Sequence, residues 1–438
     1  MRFATTAAQG LVAAFFLFHW MPATSANPSN CQDHLDNERY EEAIRASTLA
    51  LLRTDERSAP VRYSQLVCRG IAQSKLGLTQ EAIKDLRESL RIAARHYDPF
   101  EPHLTKPLLA LGRLYQSEGD LEEAELALLR AKDITHRNAG VYNVEQDQML
   151  DDLAEIFLQQ KRAMLADRQQ ELRLTSARET YGASSVEMVK ALHNYAIWNA
   201  DRQSFPKVRR ALDEAVTILE SRFGPNDYRL IDTLKLRARL YKLHPTIVTP
   251  KTGADAMLRV VDIIASQKEV DEGDLLKART DVGDYYLQRL ESRKARRTYN
   301  KTVRVAQESN VDPALIEQLY GSPTLIFMDP ERRVFFGRDE NDQPLPPGVL
   351  VVRYAVSAKG KTRSIRVVEN SVGSPEVVDD VLGRIETAEF RPRFRDGKAV
   401  ATTGLQQRFD IIQTGTGGLT MGTMYKPIRV ATTVSGRK

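Results

Sequence analysis

The sequence is poor in aromatic residues, cysteine and long apolar runs. Of its 438 residues, 7% are aromatic and two are cysteine, and the mean hydropathy is −0.41. With 19 scattered prolines, these values exclude a protein with many membrane spans, a collagen-like fibre and a mostly disordered chain. Charge of one sign is also lacking, because 63 basic residues face 58 acidic ones. A nucleic-acid partner is not expected, since such binding needs a strong basic field.

Signals for catalysis and metal binding are missing as well. The seven histidines form no His-Glu-x-x-His pattern or other short paired spacing, and the sequence contains no Cys-x-x-Cys. No Walker loop or G-x-S-x-G elbow occurs, and the glycine-rich run 415–418 lacks the last glycine of a G-x-G-x-x-G pattern and any following helix. We therefore predict that the protein is not an enzyme and holds no metal or cofactor.

One apolar stretch stands at the N-terminus. Arg2 precedes apolar residues from Leu11 to Met21, and small residues follow up to Ala26. About a dozen apolar residues are few for ~30 Å of hydrocarbon, so residues 1–26 are predicted to be a cleaved secretory signal. The alternative is an uncleaved anchor in the inner membrane, because the window around residues 15–20 is strongly apolar.

Export would also explain the cysteines. Cys31 and Cys68 are the only two, and an oxidising compartment favours a disulfide between them. Such a bridge would restrict the unfolded chain by about 3–4 kcal/mol on the chain-entropy model. The alternative is a pair of buried free thiols that act as small apolar side chains.

A period of 42 residues is the strongest pattern in the chain. Three sets of positions recur at this interval, and we call each set a column. One column holds mostly glycines in helix-breaking surroundings, one holds leucines and one holds small residues. The three columns are Asp98, Gly140, Gly182 and Gly224; Leu108, Leu150, Leu192 and Leu234; and Gly112, Ala154, Ala196 and Ala238. A small side chain once per repeat lets a neighbouring helix approach closely, which predicts stacked helical hairpins.

The residues within one unit carry a family resemblance. The leucine-glycine-tyrosine run 111–115, followed by the glycine-to-alanine run 119–124, resembles the tetratricopeptide repeat, and the 42-residue spacing resembles the longer repeats of kinesin light chains. We therefore expect an all-α tetratricopeptide solenoid of about seven helical hairpins over residues 27–310.

The resemblance implies a concave groove that binds peptides or proteins and is lined by the first helix of each hairpin. The alternative for any one of these residues is a solvated helix face. The implied groove positions are Lys106, Arg113, Gln116, Lys190, His193, Lys235, Arg239 and Lys242.

After about residue 320 the helical spacing of apolar residues ends, and alternating apolar runs replace it. Residues 311–342 are predicted to be a linker, and residues 343–412 a small α+β domain. Alternating apolar residues predict a strand over 350–356, Gly360 a turn, and residues 365–368 a second strand. A helix is expected to begin at Ser374, and a closing strand lies within 399–412.

This order of strands and helix resembles the C-terminal domain of the TonB energy transducers, a three-stranded sheet with a helix. The resemblance rests on Gly348, Gly360, the Phe390-x-Pro392 pair, residues 397–398 and Phe409. It implies that a partner's extended segment adds to the edge of the closing strand. The implied element and edge residues are Gln343, Pro344, Thr403, Leu405, Gln407, Phe409 and Ile411. The alternative is an edge that the C-terminal tail covers.

Basic residues cluster near the end of the chain. Arg391, Arg393 and Arg395 alternate with apolar residues, which predicts one basic sheet face with Lys398 beside it. This patch and the basic flexible tail at 413–438 are either solvated or in contact with anionic peptidoglycan, lipid head groups or an acidic protein.

Together these patterns predict a non-enzymatic adaptor in the periplasm of a Gram-negative cell, associated with TonB-dependent outer-membrane transport. Its expected partners are proteins in the solenoid groove and a TonB-dependent receptor or TonB-system component. The alternative is a structural or assembly scaffold of the cell envelope that binds peptidoglycan or a secretion or assembly machine through the C-terminal domain.

Overall fold

The computed structural model describes residues 31–55, 58–242, 250–309, 311–328, 335, 343, 345–413 and 419–421. The predicted signal segment, Pro344 and most of the predicted tail lie outside the described residues. The chain divides into two compact units, Met1–Ser176 and Ala177–Lys438. Among the described residues, no helix combines the length and apolar character needed to cross a bilayer.

The first unit is helical, as the repeat pattern predicts. Short turns separate its helices, which pack as successive hairpins in which α3 pairs with α4 and α5 with α6. The helices are α1 (Cys31–Asp36), α2 (Tyr40–Arg53), α3 (Ala59–Lys75), α4 (Thr79–His96), α5 (Thr105–Glu118), α6 (Leu121–Ala139), α7 (Asp147–Gln159) and α8 (Ala163–Tyr181), the last of which contains the division point.

The periodic columns have the structural roles that their composition predicts. A side-chain carbon at Gly112 would lie 2.6 Å from atoms of Leu128, so only glycine allows α5 and α6 to approach this closely. Ala154, Ala196 and Ala238 are buried at the equivalent positions. The breaker column ends helices, and Gly140, for example, follows α6 with a φ of +86° that favours glycine.

The second unit begins with further hairpins. α9 packs on α10, α11 on α12, and α13 on α14, and a shared core contains Leu234, Val260 and Val282. A shorter helix, α15, follows. The helices are α9 (Met188–Asp201), α10 (Phe205–Phe223), α11 (Leu230–Lys242), α12 (Pro250–Ala265), α13 (Glu272–Gln288), α14 (Ser292–Glu308) and α15 (Pro313–Tyr320).

A small C-terminal module of antiparallel strands and one helix ends the described chain. Its largest sheet has the order β3-β2-β7-β8, while β1 pairs with β4 and β5 with β6. The elements are β1 (Thr324–Phe327), β2 (Gly348–Val356), β3 (Thr362–Asn370), α16 (Pro375–Thr387), β4 (Glu389–Arg391), β5 (Arg393–Arg395), β6 (Lys398–Val400), β7 (Thr402–Gln413) and β8 (Leu419–Met421).

The core of this sheet follows the sequence periodicity. Leu350, Val352 and Tyr354 alternate along β2 and are buried, as the alternation predicts. Val377 and Val381 on α16 pack against them. Ser374 caps that helix, because its hydroxyl accepts a hydrogen bond from the backbone N–H of Val377 at 3.4 Å.

The segment 311–342, which we predicted to be a linker, is structured in part. It contains α15 and β1, and β1 pairs with β4 of the C-terminal module. Tyr320 on α15 shares a hydroxyl hydrogen bond of 2.8 Å with Thr280 and stacks edge-on against Phe394. The helical hairpins and the sheet of the second unit are therefore joined by packed structure at this point.

Candidate functional site

In the first unit, two of the predicted groove residues are tied to the next hairpin. The Nε of Arg113 on α5 donates to an oxygen of Asp152 on α7 at 2.7 Å, and Gln116 reaches Glu155 at 3.5 Å. Because α5 and α7 are first helices of successive hairpins, these contacts cross-link the repeats along the predicted groove. The positive charge of Arg113 is thus largely matched within the fold.

The second unit repeats this arrangement. The Nε2 of His193 on α9 lies 2.9 Å from the hydroxyl of Thr233 on α11, and Lys235 forms a 3.4 Å ion pair with Asp281 on α13. Lys190 and Arg239 are exposed. Lys242 is the last residue of α11, and its side chain is outside the described part.

These contacts determine the local charge at the implied groove positions. Acidic residues on the next first helix accompany Arg113 and Lys235, so the lining at these two positions is mixed in charge. His193 adds little positive charge at neutral pH, because burial lowers its pKa below the ordinary value while the nearby Asp232 opposes the shift only in part.

A cavity of about 520 Å³ lies at the N-terminal end of the first unit. It is lined by residues of α1 and α3 and by Lys106, the first of the predicted groove positions. Tyr63 borders it and donates its hydroxyl to the carbonyl of His103 at 3.1 Å. Burial raises the pKa of the Tyr63 phenol far above its usual range, so this hydroxyl stays protonated.

A disulfide joins α1 to α3 beside this cavity. Cys31 and Cys68 are bonded in the structure, with their Cα atoms 6.3 Å apart. Both sulfurs are buried in a small cluster with Ala43 and Ala72. The bridge therefore fixes one wall of the cavity, since Gln32 and Leu35 of the short α1 also line it.

The predicted partner-binding edge is strand β7. Gln407, Phe409 and Ile411 point into the core and are buried, Leu405 packs on the same core, and Thr403 is exposed. These buried side chains hold the sheet together and are not contact surfaces, so any recognition there would depend on the backbone edge. Gln343 is exposed ahead of β2.

The predicted basic face of the C-terminal module is wrong for Arg391. This side chain is buried and its guanidinium binds both carboxylate oxygens of Asp284 on α13, at 3.1 and 2.9 Å. Pro392 separates β4 from β5, and these strands pair with different partners, so the three arginines do not share one face. Arg395 and Lys398 remain exposed in the β5–β6 hairpin, with Arg393 half-buried.

Asp284 is the centre of a buried network that the sequence did not reveal. Besides Arg391, it accepts a hydrogen bond from the Tyr299 hydroxyl at 2.7 Å. Burial raises the pKa of Asp284, and the Arg391 guanidinium and the Tyr299 hydroxyl oppose that rise. Arg391 also contacts the hydroxyl of Thr324 and lies over the Tyr320 ring. The network thus connects α13, α14, α15 and the sheet.

A second polar contact joins α14 to the C-terminal module. Glu389 on β4 is buried, accepts a hydrogen bond from Ser292 at the start of α14 at 3.2 Å and pairs with Lys361. As for metals, the described part of the chain contains no group of three or more His, Cys, Asp and Glu that could hold an ion.

Comparison with known proteins identifies one repeat in the first unit. Residues 106–135, which cover most of α5 and of α6, match the family model of the tetratricopeptide repeat. No match was found among curated protein sequences.

Three solved structures illustrate the similarity. BtubC (BKLC) from P. vanneervenii is 20% identical over 56% of this chain and 94% of that chain, with a TM-score of 0.35. A putative kinesin light chain with nearly identical TPR-like repeats from Podosopora anserina is 17% identical over 45% and 94%, at 0.39. The C-terminal part of a TPR repeat-containing protein from Cytophaga hutchinsonii is 15% identical over 66% and 98%, at 0.42.

Tetratricopeptide repeats mediate protein–protein interaction and are typically non-enzymatic scaffolds. The matched repeat therefore supports an interaction adaptor that binds peptides or proteins in the groove of its hairpins.

Proposed function

We propose that this protein is a periplasmic adaptor that associates with TonB-dependent outer-membrane transport. Its helical hairpins hold one protein partner, and its C-terminal sheet takes up an extended segment of a TonB-dependent receptor or TonB-system component. The TonB-like residue pattern of the C-terminal module supports this proposal, together with the repeat match.

The outer edge of β7 is the observation that carries the proposal. Strand β7 pairs with β2 along most of its length, and β8 pairs only with its last residues, from Ile411 to Gln413. Among the described strands, residues 402–410 therefore have a neighbour on one side only. Unpaired N–H and C=O groups along such an edge accept an added strand with little demand on its side chains.

Two sites in one chain would act by linkage. When the hairpins bind one partner and the sheet binds another, the two partners are linked through one chain. Each partner is then present at a raised effective concentration for the other, without any new contact. In the second unit, packed contacts join the last hairpin to β1, β5 and β6 of the C-terminal module, which would restrict where the module, and with it the β7 edge, lies relative to that hairpin.

Site-specific photo-cross-linking tests the sheet edge. A photoreactive residue replaces exposed Arg408 on β7, and the matched control replaces exposed Val368 on β3, the opposite edge strand. We expect cells that carry the Arg408 substitution to yield a cross-link to a TonB-dependent receptor or TonB-system component, and the control to yield none. Equal cross-linking from both strands, or none to these proteins, would contradict strand addition.

Uptake assays separate transport from a structural role. A strain that lacks the protein should lose part of its siderophore or vitamin uptake while its envelope integrity stays normal. Normal uptake with altered envelope integrity would favour the alternative, a scaffold that binds peptidoglycan or an assembly machine.

The cellular location needs its own test. Intact mass and fractionation of the expressed protein should show a chain that starts near residue 27 and is free in the periplasm. A chain that retains Met1 and fractionates with the inner membrane would contradict the cleaved signal and support an anchored protein.

A further inference from the structure

Helix α14 has an unusual excess of positive charge. Its 17 residues include six Lys and Arg side chains and one acidic residue. Lys294 forms an ion pair with Glu291, but the other five form no ion pair with a residue that the structure describes. One face of the helix is apolar and packs into the core through Tyr299 and Val303, so the cations must lie on the remaining faces.

Three of these cations line a cavity of about 320 Å³. Arg293, Arg296 and Arg297 form one wall together with Asn300, and no acidic side chain is among the described lining residues. The opposite wall is apolar and belongs to the C-terminal module, where it includes Phe394. The cavity therefore offers guanidinium groups facing an apolar surface.

A second cavity continues from the first along the same helix. It measures about 520 Å³, lies beside the C-terminal half of α14 and shares Phe394 with the first. Val303 and Ile316 give it an apolar floor. Arg393 and Arg395 of the predicted basic patch line it together with the acidic Glu317 and Asp396, so the excess of positive charge lies in the first cavity. The Nε of Arg393 is buried and has no hydrogen-bond partner among the described residues.

We name these two cavities together the α14 groove and propose that it binds an acidic peptide segment of a partner protein. Guanidinium groups bind carboxylates in a planar, two-pronged geometry. The three arginines of the first cavity would bind the acidic residues of such a peptide, and the apolar surfaces of both cavities would contact apolar residues between them. A lone phosphate would leave the apolar walls without a partner.

This groove differs from the one implied by the repeat family. Helix α14 is the second helix of its hairpin, whereas the implied peptide groove is lined by first helices such as α11 and α13. The α14 groove also lies apart from the β7 edge in its residues, so a peptide could bind there whether or not a strand adds to the sheet.

The test measures binding of a labelled peptide built from Glu-Glu-Leu repeats to the full purified chain by fluorescence anisotropy at low salt. The variant Arg293→Glu/Arg297→Glu reverses two exposed charges of the groove. The matched control, Lys301→Glu/Arg304→Glu, makes the same charge change on the same helix at exposed residues that line neither cavity.

We expect the groove variant to raise the dissociation constant at least about tenfold and the control to change it less than about threefold, because close charge pairs act locally while distant surface charges are screened. Far-UV circular dichroism of both variants checks that they fold alike.

Three results would overturn the proposal. The peptide fails to bind the unchanged protein, or both variants lose binding equally, which would indicate attraction to net charge alone. The third is that inorganic phosphate or phosphatidylglycerol vesicles bind with dependence on Arg293 and Arg297 while the peptide does not, which would identify a phosphate ligand or a membrane surface.

Discussion

The helical part of the chain is closed differently at its two ends. At the start, α1 has six residues, and its buried Cys31 sits in a small cluster with Cys68 and two alanines. At the other end, α15 and the sheet add a core with Tyr299, Tyr320 and Phe394 around the Asp284 network. A short end with little apolar area to bury is held by a covalent bond, whereas a large end is held by packing.

The two devices have different requirements. A disulfide stabilises chiefly by limiting the unfolded chain, so it needs only an oxidising environment. The Asp284 network requires that residues far apart in the sequence fold together, because a buried charge without its partner is costly. Four predictions test this contrast.

The largest effect is expected from Asp284→Ala. Removing the carboxylate leaves the Arg391 guanidinium buried without its ion pair, which should lower the free energy of unfolding by about 3 kcal/mol or more. Urea unfolding followed by circular dichroism measures the change. Asp281→Ala on the same helix is the control, since its ion pair with Lys235 is exposed and should contribute less than about 1 kcal/mol. Equal losses in both variants would refute a special role for the network.

Removal of the disulfide should have the next largest effect. In the variant Cys31→Ser/Cys68→Ser, we expect the free energy of unfolding to fall by about 3 kcal/mol, since the unfolded chain gains the freedom of a long loop. A reducing agent should lower the melting temperature of the unchanged protein and leave that of the variant unaffected. A melting temperature that does not respond to reduction would argue against a stabilising bridge.

Glycine substitutions should show how tightly the last hairpin packs. A side-chain carbon at Gly283 on α13 would overlap the Tyr299 ring, so Gly283→Ala should cost about 1–3 kcal/mol. Gly383 on α16 has no described atom near that position, and Gly383→Ala should stabilise by up to about 1 kcal/mol through helix propensity. Calorimetry of the two variants should give shifts of opposite sign; shifts of the same sign would contradict the packing.

The smallest effect concerns pH. Burial lowers the pKa of His193 in the folded protein below the ordinary value of 6.5, which applies to the unfolded chain. Below about pH 6.5 the unfolded chain therefore binds more protons at this residue than the folded protein does. Folding stability from this group is therefore present above pH 6.5 and lost as the pH falls through the lowered folded pKa. The variant His193→Gln should lose less stability than the unchanged protein between pH 7 and pH 5 in urea unfolding. Identical pH profiles would show that His193 is not desolvated.

Much of the fold could be predicted because it is periodic. The 42-residue columns predicted the small residues between helices, and the alternation along β2 predicted its buried face. The Asp284–Arg391 pair could not be found in this way, since 107 residues separate its members and no local pattern connects them. The sequence does contain a signal for the ion pairs between successive first helices. Asp152 follows Arg113 by 39 residues, a separation close to the length of one repeat.

The arginine alternation misled the sequence prediction for a physical reason. A period of two predicts one face only if the strand is continuous, and Pro392 divides this strand into β4 and β5. The cations of α14 give no sequence signal for a groove, because the repeat pattern assigns the peptide groove to first helices and α14 is a second helix. Their cavity arises only when the C-terminal module packs against that helix.

The position of α15 has a consequence for how this chain can change in length. Tyr320 meets Thr280 across 40 residues, the same separation as His193 and Thr233 on successive first helices. Helix α15 thus stands where a further repeat would begin, and the sheet follows it directly. Duplication of a whole 42-residue unit is compatible with this architecture at sites before α13, whereas a unit added after α14 would separate Asp284 from Arg391. Growth of the repeat number is therefore expected upstream of α13, with the last hairpin and the sheet inherited together.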